Sequence, residues 1–268
     1  MPPLEHVKFH MDDAVKGLGV ITLDRPESRD ALSPEMANSI VALSKYLNHL
    51  PPGQLRCVML RSSSDKAFSA GRDLKLSAKH TTEEQRRDYL LNCVDSANAM
   101  HQLRAPTIAC MTGAAYGWGV EVALACDIRV AADEAQFCLP ECSLAIFPGA
   151  GGTVWLPRIV GPAIAKELIL TSRKFSGKEA KALGVVNHSE PMPDDARARA
   201  NTIAKMICDN GPLGCRAGKA LIEDQTDLSL RSALGVSLER RLPLGHTEDF
   251  RAAVKAFKTR KKPEFFGR

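Results

Sequence analysis

Glu121 is the only charge in the run Gly117-Trp118-Gly119-Val120-Glu121-Val122-Ala123-Leu124-Ala125-Cys126, and Glu141 follows Pro140 ahead of Cys142-Ser143-Leu144-Ala145-Ile146-Phe147-Pro148. A carboxyl group among apolar neighbours is shielded from water, which disfavours its charged form and raises its pKa. Two such groups at one place supply general acid and general base near neutrality. Behind Glu141 stands Gly149-Ala150-Gly151-Gly152-Thr153, where backbone can approach a ligand closely. The competing structural readings are a buried ion pair of Glu121 with Arg129, and an ordinary helix-start acid at Glu141.

Other chemistries lack their residues. Seven histidines are scattered without a His-Glu-x-x-His, and no two of the eight cysteines have Cys-x-x-Cys spacing, so no metal site is expected. Ser69 lies outside a Gly-x-Ser-x-Gly elbow. The glycine cluster has neither the Lys-Ser/Thr of a phosphate loop nor the spacing of a dinucleotide fingerprint, and reads as a turn entering a helix. Cysteines in apolar segments read as buried thiols in a reducing compartment. Tyr116, Trp118 and Trp155 read as core or pocket wall.

The elements that must hold the glutamates alternate between strand and helix. Val20–Leu23 reads as a strand, and Ser33-Pro34 then opens a helix with the apolar stripe Met36, Ile40, Leu43 and Leu47. Cys57–Leu60 is a second strand. Thr82 begins a long helix carrying Tyr89, Cys93, Ala97 and Met100 at helical spacing, and strand Thr107–Met111 follows Pro106. Helix Trp118–Cys126 and strand Ile128–Ala131 form a further pair. This alternation predicts an α/β core of 1–193. Four helical segments, Ala196–Cys208, Leu213–Glu223, Leu228–Arg241 and Thr247–Lys258, predict a C-terminal helical subdomain of 194–268 whose apolar faces need a partner.

The chain's 268 residues suffice for a substantial core, and 36 basic against 31 acidic residues give +5. That excess suits anionic ligands and falls short of a nucleic-acid polycation. The first residues show no signal or transit pattern, and Gly267-Arg268 is not a peroxisomal tripeptide. Ala105–Cys126 is interrupted by Glu121, so no membrane span is expected. The reading is a soluble intracellular protein, mitochondrial or cytoplasmic.

Phe68-Ser69-Ala70-Gly71-Arg72-Asp73-Leu74, the Gly113–Asp127 segment with Glu121, Pro140-Glu141 leading to Pro148-Gly149-Ala150-Gly151-Gly152-Thr153, and the ending Ala256–Pro263 together resemble the enoyl-CoA hydratase/isomerase, or crotonase, superfamily. Glu121–Ala132, Leu144-Ala145-Ile146 and Gly177–Gly184 look most like methylglutaconyl-CoA hydratases. The resemblance implies a spiral of β-β-α turns and a homotrimer or homohexamer assembled through the last helices. It also implies an acyl-CoA substrate of which coenzyme A is part, with no separate cofactor.

By correspondence, the backbone N–H groups of Arg72 and Trp118 form an oxyanion hole, Glu121 activates water and Glu141 delivers a proton. Trp118 stands where relatives have glycine, and its indole is expected to narrow the acyl pocket. Lys66, Ala70, Asp73, Leu74 and Lys75 are implied around CoA, and Arg260 at a neighbouring subunit's nucleotide. The implied reaction is hydration of a 2-enoyl-CoA, with 3-methylglutaconyl-CoA as a branched candidate. Isomerisation, which needs one acid, is the alternative. Binding of AU-rich RNA, known for some members, is disfavoured because Pro34–Leu50 carries only Lys45.

Overall fold

The computed structural model describes residues 1–268. Strands β1 (Val7–Met11) and β2 (Leu18–Leu23) open the chain as an antiparallel pair. Ser33 caps α1 (Pro34–His49) by accepting the Met36 N–H, with Pro34 preset for the first turn. Met36, Ile40, Leu43 and Leu47 are buried as their spacing predicts.

One pattern then recurs. Each turn lays a strand in a six-stranded sheet, a short strand in a four-stranded sheet, and then helix. The first turn is β3 (Cys57–Ser62), β4 (Ala67–Ser69), α2 (Leu74–Ser77) and α3 (Glu83–His101). The second is β5 (Thr107–Met111), β6 (Ala114–Tyr116) and α4 (Trp118–Leu124). The third is β7 (Ile128–Ala132), β8 (Gln136–Cys138), α5 (Gly152–Val160) and α6 (Pro162–Thr171). Strand β9 (Phe175–Ser176), α7 (Gly177–Ala182) and β10 (His188–Glu190) complete both sheets.

The large sheet has the order β1-β2-β3-β5-β7-β10, parallel from β2 onward, and the small one β4-β6-β8-β9, parallel except for β9. This is the expected α/β spiral of β-β-α turns. Helices cross between parallel strands because hairpins cannot join them.

Helix α8 (Pro193–Cys208) packs on β3, β5, β7 and β10, with Ala196, Ala200, Ala204 and Cys208 in the common core. A small residue every fourth position lets it lie close to the sheet. The boundary at 193/194 therefore makes no break in the core, because the first helix beyond it is packed inside. Beyond α8 the chain forms α9 (Pro212–Asp224), α10 (Leu230–Arg241) and α11 (Glu248–Thr259). These three bury only Pro212, Ala233, Asp249 and Ala256. The Asp249 carboxylate accepts the N–H groups of Phe266 and Gly267 and ties the tail to α11. No helix is long and apolar enough to cross a membrane.

Candidate active site

Three neighbouring parallel strands of the small sheet lead into one place. Strand β4 runs into Ala70-Gly71-Arg72, β6 into Gly117-Trp118, and β8 into Pro140-Glu141, and the order β4-β6-β8 sets these segments side by side. With Glu121 from the first turn of α4 they line a cavity of about 120 Å³, whose remaining wall includes Leu74, Leu90, Cys93, Leu144, Ile146 and Phe147. The two glutamates and both expected backbone donors thus share one cavity.

Gly71 sets the spacing of the donors. Its φ is 89°, and a Cβ there would come 2.5 Å from the Tyr116 carbonyl oxygen and 3.5 Å from the Trp118 nitrogen. Only glycine permits that approach and that backbone conformation. The neighbouring Arg72 N–H has no acceptor in the chain. Trp118 is the first residue of α4, where an N–H precedes any intrahelical acceptor. Two uncommitted donors on one wall suit an oxygen that becomes negative during a reaction.

Glu121 is buried, and its Oε1 accepts the N–H groups of Ala150 and Gly152, each at 2.9 Å. The glycine cluster therefore serves the carboxylate. Arg129 instead donates to the carbonyls of Val185 at 2.8 Å and Cys126 at 2.6 Å, so the Glu121–Arg129 ion pair is not formed. Burial raises the Glu121 pKa to about 7, against its two N–H donors and with the help of the Glu141 charge. Glu141 sits half-buried in the tight turn Pro140–Leu144, and burial raises its carboxyl too. Its Oε2 is buried without a partner. Gly117, at φ 48°, makes room for this side chain, since a Cβ there would lie 2.7 Å from Glu141 Oε1.

The Trp118 indole is buried against α3, where Nε1 donates to the Cys93 carbonyl at 3.2 Å and to Ser96 Oγ at 3.1 Å. It forms a fixed part of the cavity wall. Ala70 and Leu74 also reach the cavity, whereas Lys66, Lys75 and Arg260 are exposed and do not line it. The Asp73 carboxylate is committed elsewhere. It caps α2 through the N–H groups of Lys75 and Leu76 and pairs with Arg25 at 2.8 Å.

Two supporting residues escaped the sequence reading. Arg25 anchors Asp73, and the Tyr89 hydroxyl donates to the Leu32 carbonyl at 2.7 Å while accepting the Asp73 N–H at 3.1 Å. Tyr89 thereby fixes the loop that carries Arg72. Its position on the buried stripe of α3 was the available signal, because a buried phenol must find a polar partner.

A family model described as enoyl-CoA hydratase/isomerase matches residues 13–268. Human mitochondrial methylglutaconyl-CoA hydratase is 35% identical over 262 residues, covering 96% of this chain and 76% of that protein. Human mitochondrial enoyl-CoA hydratase domain-containing protein 2 is 35% identical over 259 residues, covering 94% and 87%. The crystal structure of an enoyl-CoA hydratase from Bacillus anthracis superposes with a TM-score of 0.93 at 34% identity, covering 98% of this chain and all of that one. Matched by the family model from residue 13 to the last residue, and by these relatives in sequence and fold along almost its whole length, the chain belongs to the enoyl-CoA hydratase/isomerase family.

Proposed function

We propose that this chain adds water across the 2,3 double bond of a 2-enoyl-CoA thioester. Its reaction class is that of an enoyl-CoA hydratase, a carbon–oxygen lyase. The observation that carries this reading is the convergence of Glu121, Glu141 and the backbone donors of Arg72 and Trp118 on one cavity. The thioester carbonyl lies against the two N–H groups, which bind its oxygen most strongly as negative charge develops there. Each such donor contributes roughly 2.7–4 kcal/mol to lowering the barrier.

Glu121 Oε1 is held by Ala150 and Gly152, which leaves Oε2 to orient water and take its proton as the water oxygen bonds to C3. Glu141, whose carboxyl is raised by burial and whose buried Oε2 has no partner, is the group assigned to give a proton to C2. Return of the proton from Glu121 to Glu141 through solvent resets the pair. The reaction needs no cofactor beyond the CoA carried by the substrate.

Ala70 and Leu74 at the cavity, with the backbone of Asp73 and the exposed Lys66 and Lys75 nearby, are the proposed CoA contacts. Arg260 reaches the nucleotide of a neighbouring subunit in a homotrimer or homohexamer. The exposed apolar faces of α10 and α11 support that assembly. The branched candidate is 3-methylglutaconyl-CoA, in keeping with the human relative. Isomerisation needs one acid, and two acids in one cavity favour hydration. Eight free cysteines fit a reducing compartment, the mitochondrial matrix or the cytoplasm. The purified chain is expected to consume crotonyl-CoA and 3-methylglutaconyl-CoA to 3-hydroxyacyl products, followed by loss of the conjugated enoyl absorbance. Isomerisation of a 3-enoyl-CoA with both of these left intact would overturn the assignment.

A further inference from the structure

We infer that the Arg72 side chain selects the substrate. Its guanidinium binds a carboxylate at the far end of the acyl group, so the preferred thioester is the CoA monothioester of an unsaturated dicarboxylic acid. This rests on the hydration proposed above.

Arg72 lines the cavity, and its backbone N–H is one of the two proposed donors. The side chain turns toward α3, where Cζ lies 4.5 Å above the centre of the Tyr89 ring. That platform is rigid, since the Tyr89 hydroxyl is bonded to Leu32 and Asp73. Arg72 Nε is buried without an acceptor, and no carboxylate pairs with the guanidinium. Its charge reaches Cys93, one turn further along α3 on the cavity wall, and opposes the effect of burial on that thiol.

Arg72 is the only cation on this wall, whose other side chains are largely apolar. An acyl group filling the cavity expels water, and a guanidinium shielded beside it without an anion is costly. Neither glutamate answers it. Glu121 Oε1 is engaged by Ala150 and Gly152, and no hydrogen bond joins Arg72 to Glu121 or Glu141. A short acyl chain whose carbonyl meets the Arg72 N–H can bring a terminal carboxylate to the guanidinium of the same residue, in the planar paired geometry arginine favours.

The test uses the full-length protein with glutaconyl-CoA, which ends in a carboxylate, and trans-2-hexenoyl-CoA, an uncharged thioester of similar length. Arg72→Met and Arg72→Lys keep the backbone donor in place. The wild type is expected to have the higher kcat/KM on glutaconyl-CoA. In Arg72→Met the ratio of the two kcat/KM values should fall by roughly ten- to hundredfold, chiefly through KM, as expected for losing a charge-assisted contact. Arg72→Lys should restore part of it. An unchanged ratio overturns the inference, including the case where KM rises equally for both, which would assign the guanidinium to CoA phosphate. A wild type that prefers hexenoyl-CoA overturns it as well while leaving hydration intact. Turnover of neither thioester overturns it too, and consumption of crotonyl-CoA then decides separately whether the hydratase reading stands.

Discussion

The proposed chemistry of the site turns on a carboxylate kept away from water. Burial alone would leave Glu121 protonated, and the N–H groups of Ala150 and Gly152 restore enough of its charged form to set the pKa at about 7. A base poised there is half-charged at neutrality, so kcat/KM should rise with pH up to about 7 and report the titration of the pair. Glu121→Gln and Glu141→Gln should each lower kcat by roughly 10²–10⁴-fold, and unimpaired turnover would remove that residue from the mechanism. Stability moves the other way. A carboxyl whose folded pKa is raised above its ordinary 4.5 stabilises the fold below that value and loses this as pH climbs through about 7. Glu121→Gln should therefore unfold at higher urea than wild type at pH 8.5, by up to about 3 kcal/mol, and show no such advantage at pH 4. Gly117→Ala would drive a methyl into Glu141 Oε1. Its kcat should fall at least tenfold, and in the Glu141→Gln background the same change should cost far less, as expected for two residues acting through one contact.

At the scale of elements, the site depends on the order in which short strands end. Helices α1 and α3 were legible because their buried residues recur at helical spacing and Ser33 and Thr82 cap them, Thr82 through a complete capping box with Gln85. The small sheet was not, since β4, β6 and β8 have three residues each, too few to display alternation. The motifs that revealed the site lie at the ends of these strands. Glu121 and Glu141 were therefore visible, while the Ala150 and Gly152 donors were hidden, because a backbone N–H leaves no side-chain signature. The packing of α8 was concealed by its use of alanine. Tyr89 ties α3 to the loop that carries the proposed donor Arg72, and Tyr89→Phe removes the hydroxyl that bridges Leu32 and Asp73. Because Asp73 N–H also reaches the Leu32 carbonyl, the expected loss is about 1 kcal/mol by urea titration. The accompanying looseness of the Arg72 N–H should lower kcat more than it raises KM.

The whole molecule presents one surface that a monomer has no reason to keep. Leu230, Leu234 and Leu238 recur every fourth residue along α10 at 79%, 64% and 60% exposure, and Phe257 on α11 is 88% exposed. A leucine ridge of this regularity is the stripe a helix ordinarily buries, and here its own chain leaves it uncovered. The proposed homotrimer or homohexamer covers it by symmetry, with each copy supplying the same helices. Light scattering of the purified chain should then give three or six times the monomer mass, and Leu234→Asp with Leu238→Asp should shift it to monomer by placing charges in the contact. The core should survive, because neither leucine belongs to it. Arg260 ends α11 away from its own cavity, so if it serves a neighbour's CoA the monomeric variant should show a raised KM for every enoyl-CoA tested, and Arg260→Ala in the intact assembly should reproduce that rise. A monomeric wild type, or an assembly indifferent to both leucine changes, would detach these helices from oligomer formation and return Arg260 to the role of an exposed helix cap.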